Sequence, residues 1–133
     1  MRALFDEVIA RIRAGGVQQV YPSFDAVPVM KKSNVLFAVV EPKRVQMNTP
    51  FADGSRGAVP FTAEYAVHLL IPMTQPLQTA ENVFYERVLP SLSPMGSVLC
   101  EVVPAHADVK LGRVVMEARF RQRGVYLREE AGE

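Results

Sequence analysis

The chain has 133 residues, 49% of them hydrophobic and 22% charged, the balance of one globular domain whose core needs neither disulfides nor a metal. Its formal net charge is +1, so no overall field draws it to nucleic acid or to an anionic membrane, and electrostatic binding has to come from local patches. The single cysteine, Cys100, excludes an internal disulfide and a cysteine-built zinc site. We expect one domain over residues 1–133. The apolar runs are too short for a membrane span and the acid-bearing N-terminus lacks a signal-type apolar block, which predicts a cytoplasmic protein without a membrane partner.

Leu4, Phe5, Val8, Ile9 and Ile12 recur on one helical face, with most of the charges opposite, and Gly15 and Gly16 stop this amphipathic helix. Residues 17–29 read as a weak edge strand or an irregular surface crossing, because Pro22, Asp25 and Pro28 interrupt them. After a polar turn over 31–34, the run VLFAVVE predicts a central strand, kinked or bulged at Pro42 and continuing through Val45 and Met47. Residues 48–58, NTPFADGSRGA, have no periodicity and form a long hairpin tip. Loops of that length in compact domains are more often functional than accidental, and Phe51, Asp53 and Arg56 are its candidate assembly contacts.

The stretch PFTAEYAVHLLIPM, residues 60–73, organises the rest. Its odd positions Phe61, Ala63, Tyr65, Val67, Leu69 and Ile71 are all apolar, while Thr62, Glu64 and His68 fall on the other face, which is the period of a strand. Pro72 and Pro76 end the ladder, and Thr79 offers an N-cap to a helix over 79–89 that Pro90 should terminate. SVLCEVV, residues 97–103, predicts a strand with Cys100 as a small buried hydrophobe, and AHADVKLG its connection onward. In the last strand Val114, Met116, Ala118 and Phe120 point one way; Val115, Glu117, Arg119, Arg121 and Arg123 point the other, until Gly124 breaks the run. REEAGE is a polar terminus that should fray. The order α-β-β-β-α-β-β predicts an α+β fold, a mainly antiparallel sheet of four to five strands with two helices on one face.

No catalytic set assembles from these residues. Glu64 and His68 share a strand face but stand about 13 Å apart, too far to ligate one ion, and His106 beside Asp108 has no nucleophile to serve. No phosphate-cradling loop, nucleophile elbow or zinc motif is present, so we expect no enzyme, no metal and no cofactor. The row Arg119, Arg121 and Arg123, with Glu117 the acid beside it, is the most pointed feature. It is either a solvated edge or an oligomer or partner interface; nucleic acid fits it poorly, since no aromatic side chains interleave the arginines for base stacking.

With LFDEVIARIRAGG as a leading helix, VLFAVVEPKRVQM and FTAEYAVHLLIPM as a hairpin around an extended loop, TAENVFYERVLPSL as a second helix and VVMEARFRQRGVYL as a closing strand, the chain resembles the tail terminator proteins of long-tailed bacteriophages and prophages. The resemblance spans the whole chain and lies in layout, without a short shared motif. It implies a non-enzymatic protein forming a ring, usually a hexamer, that caps the head-proximal end of the tail tube and offers a head-tail joining surface. Its partners would be other copies of itself, the tail tube protein and the head-tail connector, and its place the virion tail after assembly in the host cytoplasm. A small nucleic-acid-binding or ligand-binding ferredoxin-like module is the alternative.

Overall fold

The structure, a computed structural model, describes residues 2–26, 35–47 and 58–127. Phe51, Asp53 and Arg56, and with them most of the expected loop, lie outside the described residues. The described strands make one five-stranded sheet in the spatial order β1-β2-β3-β5-β4: β1 (Val20–Tyr21), β2 (Phe37–Met47), β3 (Ala58–Pro72), β4 (Val98–Asp108) and β5 (Arg113–Leu127). The fold is α+β and the sheet is mainly antiparallel, as expected, with one parallel pairing that makes it mixed. β1 runs parallel to β2, with Val20 opposite Ala38 and Tyr21 opposite Val39. Every other pairing is antiparallel.

β3 and β5 form the spine. They pair without interruption from Ala58 opposite Leu127 to Pro72 opposite Arg113. Tyr65, Val67, Leu69 and Ile71 from β3 and Val114, Met116, Ala118 and Phe120 from β5 face one side and are all buried. Onto that side pack Val8, Ile9 and Ile12 of α1 (Arg2–Ala14) and Ala80, Phe84, Val88 and Leu92 of the second helical segment. Tyr65 stacks on Phe120 at 5.3 Å, and Phe5 meets the Tyr65 ring edge-on at 6.2 Å. The α1 stop is crowded as well as left-handed: Gly16 has φ +116°, and a Cβ on Gly15 would lie 2.7 Å from the Arg87 carbonyl oxygen.

The second helix departs from expectation at both ends. It starts at Leu77 with Pro76 as N-cap rather than at Thr79, and it passes through Pro90. α2 (Leu77–Val83) widens into a π-helical turn, Phe84–Val88, in which the Leu89 N–H reaches the Phe84 carbonyl; α3 (Leu89–Leu92) and a 3₁₀ turn, Ser93–Met95, follow. The wide turn accommodates the ring and missing donor of Pro90, so the proline is absorbed instead of ending the helix.

Three further expectations change. β4 runs on to Asp108, leaving a short turn where a longer connection was expected. Gly124 does not break β5; it sits opposite Phe61, whose ring would be 2.7 Å from a Cβ there, so the glycine makes room for an aromatic ring within an unbroken strand. Cys100 is exposed rather than buried, since it occupies the irregular position between Leu99 and Glu101 where the edge strand β4 slips register. The bulge expected at Pro42 is present, between Pro42 and Arg44.

A buried polar chain ties the end of the helical segment to the spine. Tyr65 Oη donates to Ser97 Oγ at 2.6 Å, Ser97 Oγ donates to Gln122 Oε1 at 2.6 Å, and Gln122 Nε2 donates to the carbonyls of Met95 at 2.9 Å and Arg123 at 3.1 Å. Each buried group thereby has a partner. Burial pushes the Tyr65 phenol up to about 12 from 10.0, against the opposing effect of Ser97.

Leu69→Ala is expected to destabilise by about 2–5 kcal/mol in denaturant melts, since it opens a cavity in the fully buried face, while Glu64→Ala on the exposed face should change stability by less than about 1 kcal/mol. A raised folded-state value means the Tyr65 contribution is present below pH 10 and lost as pH climbs toward 12. The wild type should therefore lose on the order of 1 kcal/mol more than Tyr65→Phe between pH 10 and 11, read as the difference between their unfolding free energies.

Candidate functional site

The helices cover one side of the sheet, and the opposite side has two zones. At the β1 end it is closed: Phe37, Val39 and Leu70 are buried there with Tyr21 and Val115 packed against them. Arg113 belongs to this zone. Its Nη2 donates to the Val35 carbonyl at 2.6 Å and its guanidinium lies 4.9 Å from the Phe37 ring centroid, while burial lowers its pKa. The short 3₁₀ turn Phe24–Ala26 brings the Phe24 ring to 5.0 Å from His68, edge-on. From His68 onward the face is open.

Strand pairing explains what stands on that open part. Glu41 lies across from Ala66, which lies across from Arg119, which lies across from Glu101, so one row carries an acid on β2, an alanine on β3, a base on β5 and an acid on β4. In the adjacent row His68 faces Glu117. The side chains join these rows. Glu41 Oε1 accepts from Lys43 Nζ at 3.0 Å and from His68 Nε2 at 2.8 Å; His68 Nδ1 lies 3.9 Å from Glu117 Oε1; Arg119 Nε donates to Glu117 Oε2 at 2.9 Å and stands 3.8 Å from Glu101 Oε1. The result is a ladder of ion pairs and hydrogen bonds from Lys43 on β2 to Glu101 on β4, joined in the middle by the His68 ring. The hydrogen bond from His68, then that from Lys43, holds the Glu41 carboxyl below its ordinary value against the opposing effect of partial burial. The hydrogen bond and charge of Glu117 raise the Arg119 guanidinium.

The expected site residues divide accordingly. Arg119 and Glu117 are paired with each other in the ladder. Arg121 lies opposite Glu64 in register, but its closest polar contact is Cys100 Sγ at 3.5 Å, which also raises it. Arg123 is exposed, opposite Thr62. Acids beyond Glu117 do stand near the row, Glu101 from β4 and Glu64 from β3, and neither is visible from the β5 sequence alone. Glu64 and His68 are not partners; His68 pairs with Glu41 of the neighbouring strand instead. Glu41, Lys43, Glu101 and Phe24 were missed as members of the face, although the Glu41, Lys43 spacing of two was a readable sign that both leave one strand on one side. His106 is exposed, its Nδ1 3.1 Å from the Pro104 carbonyl.

Among the described residues no three or more His, Cys, Asp or Glu side chains gather in a way that could hold a metal ion, and no helix is long and apolar enough to cross a membrane. What the open face can do is present ordered, salted charge to a surface; its hollow beside Lys43, Glu64, Glu101, Arg119 and Arg121 measures about 180 Å³.

No family model matches the chain, and no curated protein is found similar to it. Among solved structures it is similar to the PVC sheath/tube terminator of an extracellular contractile injection system, determined by cryo-electron microscopy in the extended state. The two are 15% identical with a TM-score of 0.47, over 91% of this chain and 55% of that one. The chain thus spans a little over half the length of that terminator.

Because the folded-state value of Glu41 is depressed, the stability it contributes is present above pH 4.5 and lost as pH falls through the lower folded value. Carboxyl NMR titration should place the Glu41 midpoint below 4.5 and move it upward in His68→Ala. The carboxylate is partly exposed, so Glu41→Gln should cost less than about 1 kcal/mol at neutral pH, a difference that vanishes in acid.

Proposed function

We propose that this chain is a non-enzymatic structural subunit of a phage-type tail, a terminator whose copies close into a ring on the end of the tail tube and offer a surface for head-tail joining. The observation that carries this reading is the open sheet face with its ion ladder. An enclosed apolar pocket with a few converging polar groups is what a small-molecule site requires, whereas this face carries interleaved acids and bases around a small hollow. Alternating charge contributes register and orientation between two protein surfaces, and a ring repeats each such contact at every joint. Nucleic acid is served less well, because Arg119 is already neutralised by Glu117 and Glu101. In this reading Glu117, Arg119, Arg121 and Arg123 meet a neighbouring subunit or the tube, and Phe51, Asp53 and Arg56, in the sequence between β2 and β3, supply a further contact.

The test is the mass of the purified protein by sedimentation over a range of concentrations, with negative-stain images and with tail tube protein present. Rings that cap tubes are expected. Lys43→Glu with Arg119→Glu should leave the melting temperature within about 2 °C of wild type, since exposed ion pairs contribute little to folding, yet weaken assembly in a salt-dependent way. A protein that stays monomeric at every concentration and ignores tubes would sink the reading. Retention on heparin that fades at moderate salt would favour the nucleic-acid alternative.

A further inference from the structure

Among the described residues Arg113 is the one charged side chain that is buried, at 3% exposure. It opens β5 at the end of the spine, opposite Pro72 on β3 and Asp108 on β4. Part of its guanidinium is used: Nη2 donates to the Val35 carbonyl at 2.6 Å, and the group lies 4.9 Å from the Phe37 ring centroid. Nε and Nη1 are buried and have no hydrogen-bond partner among the described residues. The zone they stand in is apolar, built from Phe37, Val39 and Leu70 with Tyr21 and Val115 packed against them.

A buried lysine can discharge by losing its proton, but a guanidinium keeps its charge, so Arg113 carries a full positive charge into apolar surroundings. Such a charge is costly unless an opposite charge and hydrogen-bond acceptors meet it, and one carbonyl with one aromatic ring supplies only part of that. The acid opposite in register does not supply the rest. Asp108 Oδ1 accepts the Leu111 N–H at 3.0 Å, closing the turn into β5, while Gly112 N–H donates to the Asp108 carbonyl at 2.9 Å, and neither Nε nor Nη1 of Arg113 bonds to it. The next acid on the same strand face, Glu117, stands four residues along β5, about 13 Å away, and is held by Arg119.

We propose that Arg113 is the binding group of an anion site that takes one carboxylate at the end of the spine. The chemistry selects the ligand. Water would satisfy the two N–H groups but not the charge, and a doubly charged anion would bring more charge than a single buried cation balances. A carboxylate brings one negative charge and planar acceptors that match a guanidinium. Access needs no disturbance of the spine, because Arg113 directly follows the turn in which Val109 is 84% and Leu111 59% exposed, and strand ends open locally at lower cost than strand middles. The carboxylate comes either free from solution or on an acidic side chain of a docked protein, and the site recognises the same group in both. This inference stands without the assembly reading above.

The experiment compares full-length wild type with Arg113→Met, which keeps an apolar stem and removes the charge, in sodium acetate and in sodium chloride of equal ionic strength at neutral pH. Acetate at about 100 mM should raise the melting temperature of wild type by about 3 °C or more above its value in chloride and leave Arg113→Met unmoved. In wild type the Arg113 Nε–H resonance should shift saturably with acetate and not with chloride, a readout that decides alone if Arg113→Met does not fold. Sedimentation in the two salts identifies the source: acetate that dissociates assemblies which chloride leaves intact assigns the site to an acidic side chain of a docked protein, and a mass unchanged by acetate assigns it to a free carboxylate. An equal response of both proteins to acetate, or an Nε–H resonance that does not move, overturns the proposal and leaves Arg113 as an anchor for Val35 and Phe37. So does a double-mutant cycle in chloride in which Asp108→Asn removes the whole effect of Arg113→Met, since Asp108 is then the partner in solution.

Discussion

The unbroken pairing of β3 with β5 is the constraint on which everything else rests. From Ala58 opposite Leu127 to Pro72 opposite Arg113, the register never slips, so the two faces of the sheet stay separate over the whole length of the spine. A one-residue slip would send Leu69 and Met116 to the open side and His68 and Glu117 into the core. The core penalty for that exchange, several apolar side chains exposed and two ionisable ones buried, fixes the register far more firmly than any single hydrogen bond. The irregularities are displaced to the outer pairings: Pro42 bulges β2, and Cys100 and the Pro104 region bulge β4.

Because the register is fixed, the charges of the open face land in rows. Each of the ladder's strands supplies one or two members, and none of those strands contains the whole pattern. Glu41 is held by a histidine from β3, and Arg119 by acids from its own strand and from β4. Exposed pairs of this kind contribute little to folding. Their arrangement matters more for what can dock against the face, where a matched pattern admits one partner orientation and repels others. At the end of the spine, Arg121 contacts Cys100 with Glu64 opposite it in register, and among the described residues neither Arg121 nor Arg123 forms an ion pair.

The prolines and glycines show how context changes a local signal. Pro90 is a helix stop by its missing N–H and bulky ring, yet the π-helical turn before it lets the helix pass. Gly124 is a strand breaker by propensity, yet Phe61 across the ladder fills the space a side chain would take. In both cases packing against the spine outweighs a preference of about 1 kcal/mol to a few kcal/mol in the chain itself.

By itself the sequence determined the period of each long element, and with it the core. The alternation in β3 and β5 and the helical spacing of Leu4 to Ile12 can be read directly because burial acts on side chains at fixed intervals along one segment. It also marked the arginine row and the bulge at Pro42. What only the tertiary structure decided is adjacency between segments: that β5 enters between β3 and β4, that β1 lies parallel to β2, and that Glu41 meets His68 while Glu101 meets Arg119. Those relations depend on which strands become neighbours, a choice made by the packing of the whole sheet against its helices, and no periodicity within one strand records it.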